Sequence, residues 1–192
     1  MNRIKIEAVV IGVSAGGMEA LRKIIPELPP DYPIPIIVVQ HLHPSSDDFM
    51  AQDLDKRCSL KVKQADEKEQ IRSGYVYIAP PNYHLLIEKD RTFSLSVSDL
   101  VNYARPAIDV LFESASDVYR DRLACIVLTG ANKDGTSGAK RIKENGGIVI
   151  AQDPETAEVE TMPKSVIDAG MVDLILPLDK IADFLKDLAI DQ

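Results

Sequence analysis

Hydrophobic positions in this chain fall into short apolar runs, separated by segments where they recur every three to four residues. Ile6 to Ile11 is a β-branched run and predicts a fully buried strand. Met18, Leu21, Ile24, Ile25 and Leu28 follow a helical period, and Pro29-Pro30 predicts where that helix stops. Ile34 to Gln40 predicts a second buried strand. Ser45 to Cys58 opens with cap residues and acids, then sets Phe49, Met50 and Leu54 on one face, so it reads as a helix. The middle changes rhythm. Tyr75 to Ala79, His84 to Glu88 and Phe93 to Val97 are short β-like pieces, and the last two flank a polar turn, Lys89 to Thr92, which predicts an antiparallel hairpin. Pro106 to Tyr119 returns to helix, with Ile108, Leu111, Phe112 and Ala115 on one face. Then follow strand Leu123 to Thr129, helix Thr136 to Asn145, strand Ile148 to Ala151, helix Pro163 to Ala169, strand Val172 to Leu176 and a helix from Leu178. Gly146-Gly147 is a natural helix stop.

This alternation predicts an α/β fold in three layers: a doubly wound, mostly parallel sheet with helices on both faces and the hairpin inserted in it. A length of 192 residues suits one domain, 1–192, with one core. Hydrophobic residues make up 45% and charged residues 27%, which excludes a disordered or fibrous chain. No apolar run approaches the roughly 20 residues needed to span a bilayer, so no membrane insertion is expected. Glu7 interrupts the first apolar run and makes it a poor signal peptide. Cys58 and Cys125 form neither a disulfide framework nor a metal-ligand spacing, and both read as free thiols in a reducing cytoplasm. The formal net charge is -8 with no basic cluster, which argues against a nucleic-acid partner.

Ligands of such sheets bind outside the carboxyl ends of the strands. The first strand is followed by Gly12-Val13-Ser14-Ala15-Gly16-Gly17, the second by His41-Leu42-His43-Pro44, and the strand at Leu123 to Thr129 by Gly130-Ala131-Asn132-Lys133-Asp134-Gly135. A serine, a histidine and an aspartate therefore share one sheet edge. They are the side-chain types of a nucleophile, its base and the base's orienter. G-x-S-x-G sets a hydroxyl on a sharp strand-to-helix turn, and the helix behind it offers free N–H groups to an oxyanion. The bland alternatives are a plain glycine-rich turn or a phosphate loop for the serine segment, and a structural residue for His41. For Asp134 it is simple turn chemistry. His43 competes as base, and His84 reads as a half-buried hairpin residue. The order Ser, His, Asp differs from the Ser, Asp, His of α/β-hydrolases. A dinucleotide-binding module is the rival class, but Gly12, Gly16 and Gly17 do not spell G-x-G-x-x-G, and no acidic residue follows the second strand.

Six segments in order carry a family resemblance: IGVSAGGMEAL, VVQHLHP, YIAPPNYHL, ARPAIDVLFESA, VLTGANKDGTSGAK and GGIVIAQDPETAEVETMP. Through them the chain resembles the catalytic domain of the CheB-type protein-glutamate methylesterases of bacterial chemotaxis, over nearly its whole length. The resemblance implies that Ser14, His41 and Asp134 are the catalytic residues. It implies hydrolysis of γ-glutamyl methyl esters, and deamidation of glutamines, on the cytoplasmic part of methyl-accepting chemotaxis receptors, without cofactor or metal. Backbone N–H groups near Ala15 and Ala131 are the expected oxyanion donors. Arg105 is a candidate for contact with an acidic receptor helix or for pairing with an internal carboxylate, and Asp109 reads as surface or capping chemistry. The family's better-known members read TGMG where this chain reads TGAN, so Ala131 replaces a methionine. Its regulated members carry a receiver domain before the catalytic domain, and this chain starts at the first catalytic strand. A stand-alone form is expected, with any inhibition supplied by a separate receiver protein. The alternatives are a same-fold serine esterase or a non-catalytic signalling module acting outside chemotaxis.

Overall fold

The computed structural model describes residues 5–190. Seven parallel strands form one sheet in the order β3-β4-β2-β1-β7-β8-β9. The strands are β1 (Ala8–Val13), β2 (Ile36–Gln40), β3 (Lys61–Gln64), β4 (Tyr75–Ile78), β7 (Leu123–Val127), β8 (Ile148–Gln152) and β9 (Leu174–Leu176). Every residue of β1, β2 and β7 is buried, as continuous apolar strands under two helical layers must be. Alternation then divides them. Val9, Ile11 and Val13 join one core, while Ala8 and Val10 join the other. The first core lies under α1 (Gly17–Ile24), α2 (Phe49–Arg57) and α6 (Leu178–Ile190). The second lies under α3 (Ile108–Tyr119), α4 (Thr136–Glu144) and α5 (Thr161–Asp168).

The doubly wound α/β class holds, with differences in detail. The hairpin of β5 (His84–Ile87) and β6 (Phe93–Ser96) is not inserted in the parallel sheet but forms its own two-stranded sheet. It buries Leu85, Ile87 and Phe93 in the second core. The piece at Tyr75 is β4, a member of the parallel sheet beside β2. Strand β3 was not foreseen: its Lys-Val-Lys-Gln buries Val62 alone, and a short polar edge strand gives too few alternations to read. Finally, the first helix stops at Ile24 and tightens into a 3-10 turn over Ile25–Glu27, before Pro29. Pro26 has no N–H with which to continue the α-ladder.

The chain builds outward from β1 through β2 to β3 and β4, then returns to β7 on the other side of β1. That reversal places the loops after β2, β1 and β7 side by side at the carboxyl edge, where open α/β sheets bind ligands.

Candidate active site

Ser14 follows β1 on a turn held from two sides. Its N–H donates to the Thr129 carbonyl at 2.9 Å, and Gln40 Nε2 donates to the Ser14 carbonyl at 2.9 Å. Thr129 Oγ1 donates to the Ala15 carbonyl at 2.8 Å, so the threonine after β7 clamps the turn twice. The turn's left-handed residue is Gly16 (φ 78°), a conformation L side chains resist. Gly130 allows the close approach: a Cβ there would stand 2.6 Å from Met162 Cε and 3.0 Å from Ser14 Cβ.

His41 leaves β2 beside this turn, its N–H donating to the Val13 carbonyl at 3.2 Å. Its Nδ1 lies 3.1 Å from Ser14 Oγ and its Nε2 lies 2.7 Å from Asp134 Oδ2. Asp134 is fully buried. Burial acts to raise its pKa, but hydrogen bonds from His41, the Ile108 and Asp109 backbone and Asn102 outweigh it and hold the carboxyl below its usual value. A carboxylate accepts and cannot donate, so the proton on His41 sits at Nε2, and Nδ1 presents its lone pair to Ser14. The ring nitrogens are thus used in the opposite sense from the chymotrypsin arrangement.

Two of Asp134's donors are the N–H groups of Ile108 (2.6 Å) and Asp109 (3.1 Å) at the start of α3. These are unpaired donors of a helix N-terminus, where negative charge is favoured. The carboxylate is therefore anchored by a twelve-residue helix while it orients the imidazole.

Ser14, His41 and Asn132 line a cleft of about 470 Å³, together with Asn82, Leu100, Asn102, Tyr103 and Arg105. Neither the Ala15 nor the Ala131 N–H donates to an acceptor among the described residues. Tyr103 and Leu100 are exposed at the rim. Among the described residues, no cluster of three or more His, Cys, Asp or Glu could hold a metal ion. Nor is any helix long and apolar enough to cross a membrane.

The match to known proteins spans the chain. The family model for CheB methylesterase matches residues 9–185. The chain belongs to the CheB methylesterase family. A Leptospira interrogans protein, provisionally named protein-glutamate methylesterase/protein-glutamine glutaminase, is 56% identical over 97% of this chain and 95% of its own. A Thermotoga maritima protein of that name is 44% identical over 94% of this chain, which covers 53% of that protein. The crystal structure of the Thermotoga maritima CheB methylesterase catalytic domain superposes with a TM-score of 0.92, at 43% identity, covering 96% of this chain and all of that one.

Within this CheB methylesterase fold the other candidates separate. His43 is exposed and bonds Ser45, away from the Ser14 hydroxyl. His84 is fully buried rather than half-buried: Nδ1 accepts the Ala107 N–H at 3.2 Å, and Nε2 donates to the Asp99 carbonyl at 3.0 Å. It ties the hairpin to the start of α3. Arg105 pairs with no carboxylate among the described residues. Its guanidinium donates to Asn82 Oδ1 and to the Val97 and Ser98 carbonyls, bracing the loop that walls the cleft. Asp109 is not a surface residue. It is buried, accepts the Gly138 N–H at 2.7 Å and shares the Asn102 amide with Asp134. Burial, reinforced by the nearby Asp134 charge, raises its pKa against the pull of the Gly138 N–H.

Sequence reasoning missed Gln40, Thr129 and Asn102, whose roles depend on partners 26 to 115 residues away. Buried or half-buried polar side chains at strand ends are a usable signal for Gln40 and Thr129. No pattern could have paired Asn102 with Asp134.

Proposed function

We propose that this chain is a serine hydrolase that demethylates γ-glutamyl methyl esters, and deamidates glutamines, on the cytoplasmic part of methyl-accepting chemotaxis receptors. One observation carries the reading: an unbroken chain of hydrogen bonds from Ser14 through His41 to a buried, ionised Asp134, opening on a cleft, in a CheB methylesterase fold. Ser14 Oγ attacks the ester carbonyl as its proton passes to His41 Nδ1. Asp134 holds the tautomer and stabilises the imidazolium. The oxyanion is received by the open N–H groups of Ala15 and Ala131. Methanol leaves with the proton from Nδ1, and water returns by the same route to release the glutamate. Deamidation differs in the leaving group, ammonia. No step requires a metal or cofactor.

A cleft of about 470 Å³ accommodates a glutamyl side chain with adjoining backbone. The exposed Leu100 and Tyr103 at its mouth suit the apolar stripe of a receptor helix, and Arg105 suits an acidic residue beside the scissile ester. The site is cytoplasmic, and a separate receiver protein is a candidate regulator.

The test is methanol release from methylated cytoplasmic receptor fragments, with and without a phosphorylated receiver protein. The reading expects release from the wild type and none from Ser14→Ala. Full release by Ser14→Ala would sink the mechanism. Turnover of small esters with none on any receptor fragment would move the chain to a same-fold esterase acting outside chemotaxis.

A further inference from the structure

The lone pair of His41 Nδ1 has two donors aimed at it. Ser14 Oγ is one, at 3.1 Å, and Asn132 Nδ2 is the other, at 3.3 Å. The orientation of the Asn132 amide is fixed independently. Its Oδ1 accepts the Asp134 N–H at 3.0 Å, so the NH2 end must face the imidazole and the cleft. The loop that delivers the buried Asp134 to one ring nitrogen thus also delivers an amide donor beside the other.

A neutral imidazole nitrogen has one in-plane lone pair, which cannot serve two donors well. The shorter contact goes to Ser14, and Asn132 is left with the poorer geometry. The balance changes when chemistry starts. As Ser14 Oγ bonds to the carbonyl carbon, its proton moves to Nδ1, which becomes a donor. The Asn132 NH2 then faces an N–H and has no acceptor there. The atom that next approaches Nδ1 is the oxygen of the departing alkoxy group, which must come within hydrogen-bond distance to collect the proton. Asn132 Nδ2, 3.3 Å from the same nitrogen, is beside that oxygen.

We propose that Asn132 is a catalytic residue on the leaving-group side, whose Nδ2 donates a hydrogen bond to the departing oxygen as the C–O bond breaks and to the attacking water that later takes its place. This rests on the serine-hydrolase reading above and extends it. The proton still travels from Ser14 Oγ to Nδ1 and then to methanol. Asn132 lowers the charge on the oxygen while that transfer is incomplete. The interaction arises in the transition state and is poorly made in the resting enzyme, so it raises the rate without tightening binding. It also predicts dependence on the leaving group. Methoxide is a poor leaving group and needs the donor, whereas an aryloxide carries its own charge.

The experiment compares kcat/KM, which reports the steps through acylation, for one γ-glutamyl peptide as its methyl ester and as its 4-nitrophenyl ester. Asn132→Ala removes the donor. Asn132→Asp removes it too, but keeps an acceptor for the Asp134 N–H and so controls for displacement of the loop. The proposal expects both variants to lower the ratio of methyl-ester to aryl-ester kcat/KM by about tenfold or more, with the methyl-ester loss in kcat rather than KM. A ratio within about twofold of wild type, whether activity is kept or lost equally on both esters, would overturn it. Ser14→Ala separates the two levels. If it abolishes turnover of both esters while the Asn132 ratio stays fixed, the catalytic reading stands and the Asn132 role fails. If it turns over both esters, the catalytic reading itself fails.

Discussion

The two ends of the β-sheet carry charged clusters of similar make-up and opposite character. At the amino end, Glu7 accepts from Arg91 and Arg122, each at 2.5 Å, and the Arg91 guanidinium sits 5.2 Å from the Tyr119 ring centre. At the carboxyl end, Asp134 accepts from His41, Asn102 and the Ile108, Asp109 and Gly135 backbone. Both bind distant segments together. The amino-end carboxylate meets permanent cations at a half-exposed surface and ends there. The carboxyl-end one is buried, and its hydrogen bonds run through a titratable ring to a hydroxyl at the wall of a cleft. The difference lies in where the cluster leads: to a lone pair on Nδ1 that faces the Ser14 hydroxyl, with the Ala15 and Ala131 N–H groups finding no acceptor among the described residues.

That contrast breaks first at Asp134. Asp134→Asn cannot hold the Nε2–H tautomer and is expected to lower kcat for methanol release by about 10⁴-fold. It also deprives the start of α3 of a charged acceptor, costing about 1–3 kcal/mol in a denaturant melt. A loss of activity under about tenfold would place Asp134 with Glu7 as a structural anchor.

A smaller effect sharpens the contrast within the site. Asp134, with its pKa lowered on folding, contributes stability that is present above the ordinary carboxyl value near 3.9 and is lost as pH falls through its folded value. Asp109, with its pKa raised, works in the other direction. From about pH 4 upward the folded chain holds its proton more tightly than the unfolded chain, so stability declines as pH rises through the folded value. Asp109→Asn should remove that decline in urea midpoints measured upward from about pH 4. Parallel profiles for variant and wild type would show that no charge is held there at a cost.

The smallest change is expected at the amino end. Glu7→Ala should cost about 1 kcal/mol or less, because exposed ion pairs contribute little, and should leave kcat/KM for methanol release unaltered. A loss of activity there would mean that the two ends of the sheet are coupled.

Much of this architecture was legible in the sequence because it rests on periodicity. β1, β2 and β7 are uninterrupted apolar runs, and the loops that follow them hold Ser14, His41 and Asp134 in plain view. β3 was not legible, since one buried Val62 makes no pattern. The separate hairpin sheet was half-legible: its turn is local, but whether it joins the main sheet depends on long-range packing. The polar frame around the site was the least legible part. Asn102 reaches Asp134 across 32 residues, Thr129 reaches Ala15 across 114, and Asp109 looks like any acid in a first helical turn until α4 covers it.

The most direct measurement of the central claim is the site of covalent modification by a fluorophosphonate, located by peptide mass spectrometry. The account predicts one adduct, on Ser14, formed by the wild type and sharply slowed in His41→Ala. An adduct on another residue, or undiminished labelling of Ser14 without His41, would contradict the account that the Ser14–His41–Asp134 chain activates this hydroxyl.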